Sequence, residues 1–252
     1  MTPPVALTIA GSDSGGGAGL QADLATFAAR GVFGTSAVTM ITAANTSTIS
    51  DTVCVPASTL SAQINAVLDD FPVAAVKCGA LGTAENARAV LEFARAGRLP
   101  NLVVDTVLVS TSGTALVEES AYDAYRALAG LTEVSTPNVR EQEILSLSGP
   151  LVVVTGGDSA ADESIDVVFE NGVETAELGG PAIQTANTHG TGCVFSAAVC
   201  AELAKGASAL AAVETAKAYL ANALRSAQDW VLGGGTGPFA SGPLINPPSE
   251  PR

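Results

Sequence analysis

Short apolar runs alternate with helix-period segments through most of this chain. Val5–Ala10, Ala37–Thr42, Ala74–Cys78, Leu102–Asp105 and Leu151–Thr155 are compact apolar stretches, most of them closed by Gly or Asp, and Val134–Thr136 is a further strand ended by Pro137. Runs of that kind belong to strands covered on both faces. Helical spacing fills the intervals at Leu20–Ala29, Leu60–Leu68, Glu85–Ala94 and Tyr122–Leu128. Strand–helix–strand units cross over with one hand, so the pattern predicts an α/β fold with a parallel sheet and helices on both faces. Val167–Glu170 and Val173–Glu177 read as a hairpin, with Asn171-Gly172 supplying the positive φ of its turn. Two helices are expected around residues 192–204 and 208–231. No internal repeat or linker interrupts the chain, which predicts one domain over 1–245 and a frayed, Pro-rich tail over 246–252.

Composition narrows the function classes. Of the 252 residues, 47% are hydrophobic, enough for a sizeable core, and 11 Lys+Arg against 25 Asp+Glu give a net charge of −14. An acidic chain is a poor partner for nucleic acid or an anionic membrane, and neither is expected. Backbone amides can still bind a phosphate on such a protein. Apolar runs are too short for a transmembrane helix, and Met1-Thr2-Pro3-Pro4 lacks the basic and apolar regions of a secretory signal. Four cysteines without a C-x-x-C and one histidine argue against zinc and fit a reduced, cytoplasmic setting.

The stretch Asn187-Thr188-His189-Gly190-Thr191-Gly192-Cys193 runs straight into a small-residue helix from Val194 to Ala204. Amides of Gly190, Thr191, Gly192 and Cys193 lack intrahelical acceptors and sit at the positive end of the helix dipole, which makes an anion site. A thiol at the same spot points to phosphoryl transfer; packing of a tight turn is the plainer alternative. After the first strand, residues 11–19 (Gly-Ser-Asp-Ser-Gly-Gly-Gly-Ala-Gly) hold five glycines in nine positions. They let backbone approach a ligand that Asp13 can bind, unless the segment is only a flexible loop. Within it Gly17-Ala18-Gly19-Leu20-Gln21-Ala22 matches the dinucleotide fingerprint, but no acidic residue follows in Ala37–Asn45, so a dehydrogenase is a remote reading. Asp23 is either a solvated first-turn carboxylate or part of the site. Asn138 and Glu141, three apart after Pro137, form a capping box or hold hydrated Mg²⁺ beside phosphates. Asp105 ends a buried strand and needs a cation or N–H donors, so it stands on the metal side or in a structural hydrogen bond.

Taken together, residues 6–24 with Thr136-Pro137-Asn138, Glu141 and residues 188–193 resemble the hydroxymethylpyrimidine/phosphomethylpyrimidine kinases of thiamin biosynthesis, and the likeness runs through Gly235-Thr236-Gly237-Pro238. It implies the ribokinase-like three-layer α/β/α sandwich with a mostly parallel central sheet. It also implies ATP- and Mg²⁺-dependent phosphorylation of a hydroxymethyl group, or of the monophosphate, on a small aromatic ring. On this likeness Gly190, Thr191 and Gly192 form the anion hole and Cys193 is the base, its thiol pKa lowered by the helix N-terminus. Asn138, Thr155, Gly156, Thr188, Gly190 and Gly192 would hold ATP, and Asp105 and Glu141 would support Mg²⁺. Gly11, Asp13, Asp23, Thr42, Ala44, Asn45, Gly79 and Ala80 would form the ring pocket. Members of the family often form homodimers.

Three departures stand out. Ala44 replaces the family's ring-binding glutamine, and Ala80 replaces a methionine that walls the pocket; both enlarge and depolarise it, opening it to a different or bulkier ring. Thr155-Gly156-Gly157-Asp158 replaces Lys-Gly-Gly-His, so a phosphate-facing cation has become a hydroxyl, with Lys77 or Arg140 as candidate substitutes. The segment from Glu141 to Leu151 has room for one helix where the family carries two. Two further readings follow: a pyridoxine/pyridoxal-type kinase, and a non-catalytic ligand-binding paralogue.

Overall fold

A computed structural model describes residues 2–110, 113–157 and 163–242; Asp158 and the tail at 246–252 lie outside them. The strands are β1 (Val5–Asp13), β2 (Phe33–Ala44), β3 (Ile49–Cys54), β4 (Val73–Cys78), β5 (Leu102–Val104), β6 (Val134–Ser135), β7 (Leu151–Val154), β8 (Glu163–Glu170) and β9 (Val173–Pro181). The helices are α1 (Gly19–Ala29), α2 (Ala57–Asp70), α3 (Ala84–Arg95), α4 (Tyr122–Ala129), α5 (Val139–Leu145), α6 (Thr191–Ala204) and α7 (Ala209–Ser226). One nine-stranded sheet runs β3-β2-β1-β4-β5-β6-β7-β8-β9. Its six inner strands, β2 to β7, pair in parallel, while β3 on one edge and β8 and β9 on the other are antiparallel.

The period of two in the strands builds the layers. Leu7, Ile9, Val76, Cys78, Leu102 and Val104 face one side, where Leu60 and Ile64 of α2, Leu91 of α3, Tyr125 of α4 and Leu145 of α5 cover them. Ala6, Ala75, Val103, Val134 and Val153 face the other, against Phe27 of α1, Phe195, Ala198 and Val199 of α6 and Ala212 and Val213 of α7. From Val194 to Ala204 every residue of α6 is buried. A helix apolar on all sides is one enclosed on all sides, and here it lies between the sheet and the helices α1 and α7. The expected three-layer, mostly parallel α/β fold is therefore the one observed.

Three elements differ from expectation. β3 is an exposed edge strand, Ile-Ser-Asp-Thr-Val-Cys, paired antiparallel to β2 with Ile41 opposite Val53; it carries no buried face and so has no hydrophobic signature. β1 continues through Gly11 to Asp13, with a register shift between Ala10 and Ser12. α7 stops at Ser226, short of 231. The β8–β9 turn is as expected, with Asn171 at φ 50° and Gly172 at φ 81°. Among the described residues no helix is long and apolar enough to cross a membrane.

Candidate active site

The carboxyl ends of the inner strands open into a cavity of about 1570 Å³. Residues 190–193 line it, together with Gly11, Asp13, Thr42, Ala44, Asn45 and Ala80 of the expected ring pocket and Asp105, Asn138, Glu141, Thr155 and Thr188 of the expected nucleotide and metal side. The anion loop and the acidic pair thus share one chamber.

Gly190 caps α6 with φ 87°, and a Cβ there would collide with the carbonyl of Gly17. That close approach seats the anion loop against the glycine-rich loop. Val194 is the first amide to reach a carbonyl four back, bonding Gly190 O at 2.9 Å; Thr191 N makes a long bond of 3.4 Å to Thr188 O. No backbone acceptor takes the amides of Gly192 and Cys193, among the described residues, which leaves them for an anion. Gly190→Ala is expected to lose about 1–2 kcal/mol from the left-handed backbone alone, plus the clash, and to abolish turnover. Thermal unfolding and turnover measure the two effects, and an active variant of unchanged Tm refutes this account of Gly190.

Asp13 shapes the other loop. Its carboxylate accepts from the amides of Gly15 (2.8 Å), Gly17 (3.2 Å) and Ala18 (3.0 Å) and meets Nε2 of His189 at 2.9 Å. Burial pushes its carboxyl up, but the His189 contact and these amides outweigh that and hold it below the ordinary value. Asp13 therefore ties the two glycine loops together while it also lines the cavity. The hydroxyl of Ser14 clasps both main-chain groups of Ala44, at 2.7 and 2.8 Å. Asn45 caps its own turn through Ser47 N and Thr48 N, and Thr42 Oγ1 donates to Ser12 O. Beside Ala80, Met40 also lines the cavity and packs under Gly11, so part of the wall expected from a methionine at 80 comes from β2.

Below the anion loop lies a buried ionic cluster that the sequence reading did not assemble. Lys77 of β4 is fully buried, with Nζ 2.9 and 3.0 Å from the two oxygens of Asp23 and 3.6 Å from Asp105 Oδ2. Thr8 donates to Asp23 at 2.6 Å, and Ser196 of α6 donates to Asp105 at 3.0 Å. Asp23 is thus neither a solvated first-turn carboxylate nor part of the cavity wall. The detectable signal was a lone lysine in the apolar strand Val-Ala-Ala-Val-Lys-Cys, since a buried charge needs a counter-charge. Two more expected residues stay off the cavity wall. A Cβ at Gly79 would lie 3.0 Å from Lys77 Nζ and 3.2 Å from Ala10 Cβ, and Gly156 backs onto the carbonyl of Ile165 while its amide bonds Asp166 Oδ1 at 3.1 Å.

Electrostatics reverses one expectation. Burial pushes the Cys193 thiol up to about 12, Lys77 pulling it down while Asp105 and Asp23 push it further up. Desolvation here outweighs the helix N-terminus that was expected to lower it. Glu141 completes the capping box with Asn138, its oxygens accepting from Asn138 N at 2.9 Å and Leu108 N at 3.2 Å. Burial, followed by the repulsion of Asp105, raises its carboxyl to about 7. Among the described residues no three His, Cys, Asp or Glu converge as a metal site. Asp105 and Glu141 both line the cavity and repel one another, and two carboxyls are the number that Mg²⁺ takes when it keeps waters and phosphate oxygens for the rest.

Over residues 13–150 and 142–240 the sequence matches the family described as phosphomethylpyrimidine kinase. It is 40% identical over 255 residues to a hydroxymethylpyrimidine/phosphomethylpyrimidine kinase of Haemophilus influenzae, covering 92% of this chain and 94% of that one. Identity is 42% over 259 residues to a chloroplastic thiamine biosynthetic bifunctional enzyme of Arabidopsis thaliana, covering 94% of this chain and 49% of the plant protein. The chain thus spans about half the length of that relative. A solved pyridoxal kinase of Staphylococcus aureus, in complex with AMP-PCP and pyridoxal, superimposes with a TM-score of 0.85 at 31% identity, covering 96% of this chain and 94% of that one. Since the family match runs from Asp13 in the first glycine loop through the acidic pair and the second loop, and a bacterial relative aligns over nearly its whole length, this chain belongs to the phosphomethylpyrimidine kinase family, on the ribokinase-like fold.

Proposed function

We propose that the chain is an ATP-dependent phosphotransferase acting on the hydroxymethyl group of a hydroxymethylpyrimidine, or on its monophosphate, in thiamin biosynthesis. The observation that carries this is a cavity whose wall holds both the free amides of residues 192 and 193 with the Cys193 thiol and the Asn138–Glu141 pair. Phosphoryl transfer needs positioning and charge stabilisation more than covalent chemistry. The amides of 190–193 would take the charge that develops on the migrating phosphoryl group. Cys193 would receive the hydroxyl proton, with Lys77 beneath it favouring the thiolate. Gly11, Thr42, Ala44, Asn45 and Ala80 would hold the ring, while Asn138, Thr155 and Thr188 would face the nucleotide. When bound beside Asp105 and Glu141, Mg²⁺ supplies neutralising charge to the phosphates. The same reading makes the protein a cytoplasmic homodimer of one-domain subunits, with a small aromatic alcohol as partner and neither nucleic acid nor membrane.

A turnover assay with ATP on hydroxymethylpyrimidine and pyridoxine tests the reading. Phosphorylated pyrimidine supports it; product from pyridoxine alone makes the chain a pyridoxal-type kinase; ATP consumed with neither product, or not at all, leaves the non-catalytic reading. The pyridoxal alternative is favoured by Ala44, which offers the ring no side-chain polar group, and by the likeness to the S. aureus enzyme. Ala44→Gln is expected to lower KM for hydroxymethylpyrimidine about 5-fold, the worth of one hydrogen bond of about 1 kcal/mol. A KM that does not fall makes a different ring the natural substrate.

A further inference from the structure

We infer that Arg140 is the cation that meets the phosphate oxygens of the bound nucleotide, an inference resting on the kinase reading above. Charge accounting across the cavity carries it. Five basic side chains line the wall: Lys77, Arg140, His189, Lys217 and Arg225. Three of them meet a carboxylate, and a fourth is hydrogen-bonded to a neutral side chain. Lys77 is held by Asp23 and Asp105. His189 is held by Asp13. Lys217 pairs with Asp166 at 2.8 Å and donates to Ser164 O at 3.1 Å. Arg225, in the last turn of α7, donates to Asn222 Oδ1 at 3.1 Å. Arg140 alone among them has no hydrogen-bond or ion-pair partner among the described residues, and it is exposed.

The wall is otherwise acidic, with Asp13, Asp105, Glu141, Asp166, Glu177 and Glu214 on it. A polyphosphate entering such a chamber meets repulsion that backbone amides offset only in part, so a free cation there acts on phosphate oxygens, and a guanidinium does so with two parallel N–H donors. Position agrees with this role. Arg140 stands two residues beyond Asn138, whose backbone bridges to Thr155. Thr155 itself brings no charge: its amide bonds Pro137 O at 2.9 Å and its hydroxyl lies 3.5 Å from the same oxygen. The capping box locks the turn that carries Arg140, so the backbone is pinned while the guanidinium is free to reach the ligand. Lys77 cannot serve instead, because its ammonium is buried and surrounded by carboxylate oxygens.

The test compares the affinities of ATP and adenosine by titration calorimetry on the wild-type chain, Arg140→Ala and Arg140→Lys. Arg140→Ala is expected to weaken ATP binding about 10- to 100-fold, the range of one or two charge-assisted hydrogen bonds, and to leave adenosine within about 2-fold. Arg140→Lys should recover part of the loss, and added guanidinium should restore ATP affinity to Arg140→Ala. Unchanged ATP affinity in Arg140→Ala, or an equal loss for adenosine, overturns the inference. Wild-type turnover is read separately. A chain that binds ATP yet phosphorylates neither hydroxymethylpyrimidine nor pyridoxine overturns the kinase reading, while the ratio of affinities still decides the role of Arg140.

Discussion

Replacing Lys77 with methionine should destabilise the protein by about 3–5 kcal/mol, the usual result of removing one partner from a buried ion pair. Methionine keeps most of the volume, so the loss measures charge rather than packing. Asp23 and Asp105 would remain in the interior, each already raised above the ordinary carboxylate value by burial and held down chiefly by Lys77. Lys77 in turn is lowered by burial and raised by Asp23, Cys193 and Asp105, with a net rise that keeps it a cation. The double variant Lys77→Met/Asp23→Asn should recover a large part of the loss, because charge and counter-charge leave together. Urea unfolding measures both. A single-variant loss below about 1 kcal/mol would mean that the cluster is solvated or neutral and would remove it as the support of the anion loop. Activity should fall with stability, since Asp105 reaches Ser196, whose hydroxyl has the carbonyls of Gly192 and Cys193 as alternative acceptors.

Cys193→Ala is expected to lower kcat by about 10²–10⁴ while leaving the fold intact, the range for loss of a positioned base. The side chain is small and only partly exposed on the cavity wall, so alanine leaves little void. The raised thiol gives the experiment its force. At neutral pH Cys193 holds its proton, so the base role requires the bound state to favour the thiolate, with Lys77 below and the loop amides around it. Steady-state turnover with ATP and the preferred ring alcohol provides the measurement, and circular dichroism checks the fold. Unchanged kcat would leave the transfer to the amides alone and end the base assignment for Cys193.

Much of this architecture was legible residue by residue. Apolar runs closed by Gly, Pro or Asp marked the inner strands because those strands are buried on both faces. Asn171-Gly172 marked the hairpin because its turn needs two successive positive φ values. The loop at 190–193 was legible because small residues before an apolar helix leave amides unpaired. The capping box showed in Asn138 and Glu141 because a helix start is a local event. Strand β3 was not legible, since an edge strand without a buried face has no periodicity to read. The placement of Asp23 was missed for a related reason: a first-turn carboxylate looks the same in sequence whether solvent or a lysine 54 positions away meets it.

What the sequence determined by itself was everything set within a few residues: the strand–helix alternation, the two glycine loops, the helix caps, and the family to which those motifs belong. Tertiary structure alone decided which charges meet. It put Lys77 between Asp23 and Asp105, gave Asp13 to His189, and left Arg140 on the cavity wall without a partner among the described residues. It also set the Cys193 thiol high where the local helix dipole would have set it low. The physical reason is range: hydrogen-bond geometry along the backbone is local, whereas desolvation and Coulomb energy depend on whatever the fold brings within a few ångströms.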